Sequence, residues 1–327
     1  MKRRTKRQLR KALLAIPAVC IGVVLYILFR SVSAEKPSDI RVAMTPDRIA
    51  RGKYLFTSLC SCDDCHSQRD FTRLGGPTSA EGRGRGMVMP LNGLPGNIVG
   101  PNITPDAETG IGNWTDGEKI RAIREGVSKD GRALYPLMPY EGYRQVSDED
   151  VEALVAYMNS LPPVHNLLPR TSVSFPTSIL IKGVPQPVGH KVPPVDKDGG
   201  EIFGQYLATI AGCEGCHTPV NFLGNPRAAE RYAGGRLFDT PFGKVASANI
   251  TPDKESGIGN WDFSQFKEKM HSYAQYQAGG YPQAGPDRFT LMPWIAYATM
   301  DDHDLESIFL YLKAVKPVSN RVEIHPR

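Results

Sequence analysis

Cysteine is scarce: six in 327 residues, too few to staple together a disulfide-built fold. Asp and Glu are missing altogether from positions 1–34, which hold eight of the Lys and Arg residues. The rest of the chain carries 31 basic against 34 acidic side chains. The formal net charge of +5 therefore belongs to the N-terminal segment, and the body has no basic excess with which to meet nucleic acid. Convincing strand alternation is also rare. What is present is apolar material for real cores (41%) and a raised share of turn formers, Gly 32 and Pro 27, without a collagen-like period. Such a chain folds into globular domains with long ordered loops.

The N-terminus has its own pattern. A basic tail, residues 1–11, precedes 18 uncharged residues from Ala12 to Phe29. As a helix this stretch reaches about 27 Å, enough for a bilayer core. It is long for a cleaved signal, so the reading is a retained single-pass anchor, with the tail in the cytoplasm and the body in the periplasm. Val32-Ser33-Ala34 offers a small-residue cleavage site for the alternative, a soluble periplasmic protein. Cys20 reads as apolar filler of the anchor.

The body repeats itself. Asn102-Ile103-Thr104-Pro105-Asp106 recurs as Asn249-Ile250-Thr251-Pro252-Asp253, and Gly110-Ile111-Gly112-Asn113-Trp114 as Gly257-Ile258-Gly259-Asn260-Trp261, both at an offset of 147. Gly52-Lys53-Tyr54-Leu55 returns loosely as Gly204-Gln205-Tyr206-Leu207, and Leu137-Met138-Pro139 as Leu291-Met292-Pro293. Clear periodicity is helical. Thr115 with Glu118, and Asp262 with Gln265, have the form of capping boxes, the first followed by Ile120, Ile123 and Val127 on one face. Ser147 opens a helix bearing Val151, Leu154, Val155 and Met158, and Leu305, Ile308, Phe309 and Leu312 mark its counterpart. The domain reading is linker 30–46, module one 47–163, a Pro-rich surface linker 164–196, and module two 197–327.

Each module opens with Cys-x-x-Cys-His: Cys62, Cys65 and His66, then Cys213, Cys216 and His217. Composition alone allows about 0.002 such pentapeptides by chance, so two at matching positions point to c-type haem attachment. Thiols one helical turn apart can form thioethers with both vinyl groups of one haem, and the next residue presents an imidazole to the iron. A redox dithiol, a disulfide or half a zinc site are the other uses of such a pair. Neither module supplies a second pair for zinc, nor a βαβ context for a thioredoxin-like dithiol. Met138 and Met292, equivalent and each followed by Pro, are the candidate sixth ligands; a thioether favours ferrous iron and raises the potential. Met87, Met89, Met158, Met270 and Met300 have no partner in the other module and read as packing. Asn102, Trp114, Asn249 and Trp261 either shape haem-edge loops and bind propionates or serve turns and cores. Cys60 lacks a counterpart, Ala211 standing in its place, and reads as a free or buried thiol.

On the segments CDDCHS, NITPDAETGIGNWTDGEKIRAIREGVSKDGRALYPLMPY and NITPDKESGIGNWDFSQF, residues 47–327 resemble the multihaem cytochrome c subunits of bacterial membrane-bound alcohol, aldehyde and gluconate dehydrogenases. That resemblance implies haem domains passing electrons from a dehydrogenase toward quinone, an oxidase or a further cytochrome. It gives one haem to Cys62, Cys65, His66 and Met138 and another to Cys213, Cys216, His217 and Met292. This chain has two attachment motifs where that family usually has three.

The expectation is thus a mostly α protein of two tandem cytochrome c-like domains behind a membrane helix, holding two covalent haems c and relaying electrons without catalysis of its own. A dihaem enzyme of peroxidase or thiosulfate dehydrogenase type is the rival; it would need one haem with an open or displaceable position, or a cysteine ligand. A passive haem-bearing assembly subunit is the other.

Overall fold

The computed structural model describes residues 25–327 apart from Phe222, Leu223, Asp287 and Arg327, together with Pro17, Val19, Ile21 and Gly22. Half of the apolar stretch 12–29 read as an anchor lies outside the described residues. Among the described residues no helix is long and apolar enough to cross a membrane.

Helices dominate. The first half contains α1 (Pro46–Tyr54), α2 (Asp63–His66), α3 (Asp116–Glu125), α4 (Tyr140–Tyr143) and α5 (Asp148–Ser160). A short α6 (Thr177–Leu180) lies in the connection. The second half contains α7 (Glu201–Ile210), α8 (Cys213–His217), α9 (Phe263–Met270), α10 (Tyr276–Gly279), α11 (Trp294–Tyr297) and α12 (Asp302–Ala314). Among the described residues strand structure is limited to small antiparallel pairs, the longest a hairpin of Leu237–Thr240 with Gly243–Ala246.

Local chemistry explains where the helices start. Thr45 accepts from the amide of Arg48, and Pro46 occupies the first turn, where its missing N–H costs nothing. Both capping boxes form: Thr115 with Glu118 on α3, Asp262 with Gln265 on α9. Ser147 caps α5 through the amide of Asp150. One sequence expectation shifts. Gly126 adopts the left-handed conformation and ends α3, so Val127 leaves the helical face and pairs with Ala133 instead, still buried.

Within each half the first and last helices cross at a glycine. A Cβ on Gly52 of α1 would lie 1.8 Å from the carbonyl oxygen of Ala153 on α5. One on Gly204 of α7 would lie 1.8 Å from that of Ser307 on α12. Only a residue without a side chain permits this approach, which explains the repeated Gly-x-Tyr. Buried faces include Val151, Leu154, Val155 and Met158 on α5 and Leu305, Ile308, Phe309 and Leu312 on α12, as the periodicity requires.

The halves meet with approximate two-fold reciprocity. The phenol of Tyr54 donates to Asp304 at 2.7 Å, and that of Tyr206 donates to Asp150 at 2.7 Å. Ser58 and Thr299 are hydrogen-bonded across the same junction. One continuous cluster of buried apolar residues runs through both halves. The connection after α5 lies against the first half: Asn102 donates to the carbonyl of Val164, and Asn166 to that of Arg85. The C-terminal tail repeats the arrangement, with Asn249 donating to Val318.

Candidate haem sites

The two Cys-x-x-Cys-His segments are short helices entered through one left-handed residue, Ser61 before α2 and Gly212 before α8. The acid that follows each first cysteine holds an arginine: Asp63 with Arg83 at 2.9 Å, Glu214 with Arg231 at 2.6 Å. Those acids sit in the first turn, where negative charge suits the helix dipole.

Each histidine is locked in one tautomer. Nδ1 of His66 donates to the carbonyl of Pro101 at 2.9 Å, and Nδ1 of His217 donates to that of Ala248 at 2.7 Å. Burial lowers the basicity of both imidazoles, so they stay neutral with the Nε2 lone pair free. The carbonyls of His66 and His217 accept from Gly86 and Gly234 at 2.8 and 2.7 Å. Both glycines have positive φ, and a Cβ on Gly234 would lie 2.4 Å from the carbonyl of Ala248, the one that orients the ring.

The four motif thiols are not oxidised to disulfides. Burial pushes Cys65 and Cys213 up to about 12 and raises Cys62 and Cys216 as well. A reactive dithiol needs the opposite, a depressed thiol. Among the described residues no group of three or more His, Cys, Asp or Glu gathers in a form able to hold a metal ion, so zinc finds no ligand set.

Met138 and Met292 are half-buried against the same core as Cys62 and Cys213. Their carbonyls each accept, at 2.8 Å, the amide two residues on, Tyr140 or Trp294. Pro139 (φ −81°, ψ 47°) and Pro293 (φ −76°, ψ 55°) share one backbone conformation ahead of α4 and α11. Each of these helices is tied back to the attachment segment by a tyrosine. Tyr143 donates to the carbonyl of Cys60 at 3.3 Å, Tyr297 to that of Ala211 at 3.0 Å.

Of the remaining methionines, Met158, Met270 and Met300 are core. Asn102 and Asn249 are buried, with amide and carbonyl both spent on the chain: Oδ1 accepts from Thr104 or Thr251, and Nδ2 donates to Val164 or Val318. They are loop-builders, not propionate donors. Trp114 and Trp261 pack half-buried against the core. Cys60 is buried, with a thiol raised to about 12. Arg83, Arg231, Tyr143 and Tyr297 went unread in the sequence, although aligning the repeats places each pair in register.

The cytochrome c family matches residues 49–162. The chain is 32% identical over 318 residues to the fructose dehydrogenase cytochrome subunit of Gluconobacter japonicus, covering 92% of this chain and 59% of that protein. Identity is 31% to the cytochrome c subunit of alcohol dehydrogenase (quinone) of Gluconobacter oxydans, over 83% of this chain and 55% of that one. It is 30% to a diheme cytochrome c-type protein of Cereibacter sphaeroides, over 82% and 86%. The chain thus spans less than two thirds of the dehydrogenase subunits it matches. A mostly helical fold with a Cys-x-x-Cys-His helix in each half is that of a c-type cytochrome. The chain belongs to the cytochrome c family, whose domain implies covalently bound haem c.

The residues present fit that group. Paired thiols lie on one turn, and a neutral imidazole beside them is fixed through Nδ1 with Nε2 free. This is the orientation that iron-ligating histidines receive from a carbonyl partner.

Proposed function

We propose that the chain is a dihaem electron relay, with Cys62 and Cys65 carrying one haem and Cys213 and Cys216 the other. His66 with Met138, and His217 with Met292, are the axial pairs. When bound, haem c supplies a one-electron iron couple, and the methionine thioether sets it toward the ferrous state. The observation that carries this reading is the doubled histidine geometry, Nδ1 to Pro101 and Nδ1 to Ala248. A single motif-bearing helix could be fortuitous; two with the same orienting bond, ion pair and tyrosine tie are built for one task. The donor is a dehydrogenase subunit, in keeping with the relatives named above, and the acceptor a downstream cytochrome, an oxidase or quinone. Domain limits 47–163 and 197–327 follow the repeat, joined by 164–196. The stretch 12–29 anchors the chain in the cytoplasmic membrane with both haem domains in the periplasm.

Covalent haem, quantified per chain on the denatured protein, tests the assignment. Two are expected, one after removal of Cys62 and Cys65, and one after removal of Cys213 and Cys216. Cys60→Ala should leave both. A single haem in the unaltered chain, or loss of the first with Cys60→Ala, contradicts it.

A further inference from the structure

We infer that α6 and its flanks form a second membrane contact, a short interfacial segment lying on the outer bilayer surface beside the exit of the N-terminal apolar stretch. This rests on the anchor reading given above. The two longest stretches of the chain without Asp or Glu are residues 1–34 and 153–195. In the structure they meet. The guanidinium of Arg30, the residue just past the apolar stretch, donates to the carbonyl of Leu180 at 2.8 Å. Lys182 reaches back to the carbonyl of Leu28. The end of the apolar stretch is therefore clamped to α6, and anything that seats residues 12–29 in a bilayer brings α6 to its surface.

The exposed side chains there suit that position. Phe175 is 76% exposed and Leu180 56%, with Leu167 at 83% farther along the same connection; Tyr26 and Phe29 on the clamped partner are exposed at 70% and 81%. Large apolar groups so open to water, gathered beside an 18-residue apolar run, mark an interaction surface rather than scattered surface residues. The occupant is a lipid surface and not a protein groove: no acid interrupts residues 153–195, and Arg30 and Lys182 stand beside the apolar side chains, a positive balance that suits anionic headgroups, whereas Arg170 farther along is paired with Asp130 at 3.1 Å. An aromatic ring and aliphatic side chains would sit at the headgroup boundary with the cations at phosphate level. The consequence is orientation. An anchor alone leaves the body free to swing; a second contact 150 residues away in sequence fixes which face of the haem modules meets a membrane partner.

The test uses the full-length holoprotein, carrying Cys20→Ser, reconstituted in vesicles of phosphatidylethanolamine and phosphatidylglycerol. Phe175→Cys, Leu180→Cys and, as an exposed control on the second half, Glu255→Cys are each spin-labelled. Relaxation by lipid-dissolved oxygen is compared with relaxation by an aqueous nickel chelate. The inference expects an oxygen-to-nickel ratio several-fold higher at 175 and 180 than at 255. If labels at 175 and 180 match the control while the chain stays with vesicles through an alkaline wash, the contact is refuted and the anchor stands. If the wash releases the chain, the anchor reading fails and this inference falls with it.

Discussion

Tyr54 of α1 donates its phenol to the carboxylate of Asp304 on α12 at 2.7 Å, and the same bond is made in reverse by Tyr206 and Asp150. The two bonds are not equivalent. Asp150 also receives both arms of Arg51, at 2.8 and 2.9 Å. Phe203 stands where the repeat would place a second Arg51, and the neighbour of Asp304 there is an imidazole, His303, with Nδ1 at 3.6 Å. Tyr54→Phe therefore strips a buried carboxylate of its main donor and should cost about 1.5–3 kcal/mol, against about 1 kcal/mol for Tyr206→Phe. Denaturant unfolding of the holoprotein measures both; equal losses would show that the reciprocity is complete and Arg51 immaterial.

The tyrosine ties between attachment segment and methionine loop should be felt at the iron. Tyr143→Phe leaves the buried carbonyl of Cys60 without its donor, a loss of about 1–3 kcal/mol. It should also loosen α4, so that carbon monoxide enters the first site of the reduced protein faster. Tyr297→Phe should act on the second site alone. Flash-photolysis rebinding resolves the two, and unaltered carbon monoxide kinetics in both variants would show that the ties do not restrain the methionines.

Acid should loosen both halves in the same pH window. The amide and hydroxyl of Thr109 hold the carboxyl of Asp106 below its ordinary range, and the hydroxyl and amide of Ser256 do the same for Asp253. A group whose folded pKa is depressed contributes stability above its unfolded value, about 3.9, and loses it as pH falls through the folded value. Protection of the Thr109 and Ser256 amides from hydrogen exchange should be level above about pH 5 and decline together below about pH 4. Asp106→Asn and Asp253→Asn should each flatten that decline in one loop only. A decline that persists in both loops of either variant would place the acid sensitivity elsewhere.

Much of this could be read from the chain. Capping boxes at Thr115 and Asp262 are local chemistry, and the structure forms both. The repeated Gly-x-Tyr at 52 and 204 was visible as a pattern, but its meaning was not. The glycine serves a helix crossing within one half and the tyrosine a contact with the other, and neither has a sequence period. Asn102 and Asn249 could have faced a ligand or their own loop; partners some 60 to 70 residues away, Val164 and Val318, decide it. The hairpin at Leu237–Thr240 was hidden because Pro241 and Gly243 read as loop and its strands are short and half exposed. The left-handed turn before each motif is carried by Ser61 in one half and Gly212 in the other, so only the second announces itself.

The ferric protein's iron–methionine charge-transfer band, measured in the unaltered chain and in Met138→Ala and Met292→Ala, tests the central claim most directly. The relay account predicts a wild-type intensity matching two haems, low-spin iron at both sites, and loss of half the band with each substitution. Each should also lower the potential of its own site and admit carbon monoxide there while leaving the other unchanged. A wild-type band worth one haem or none, or a full band surviving either substitution, would contradict the assignment of Met138 and Met292.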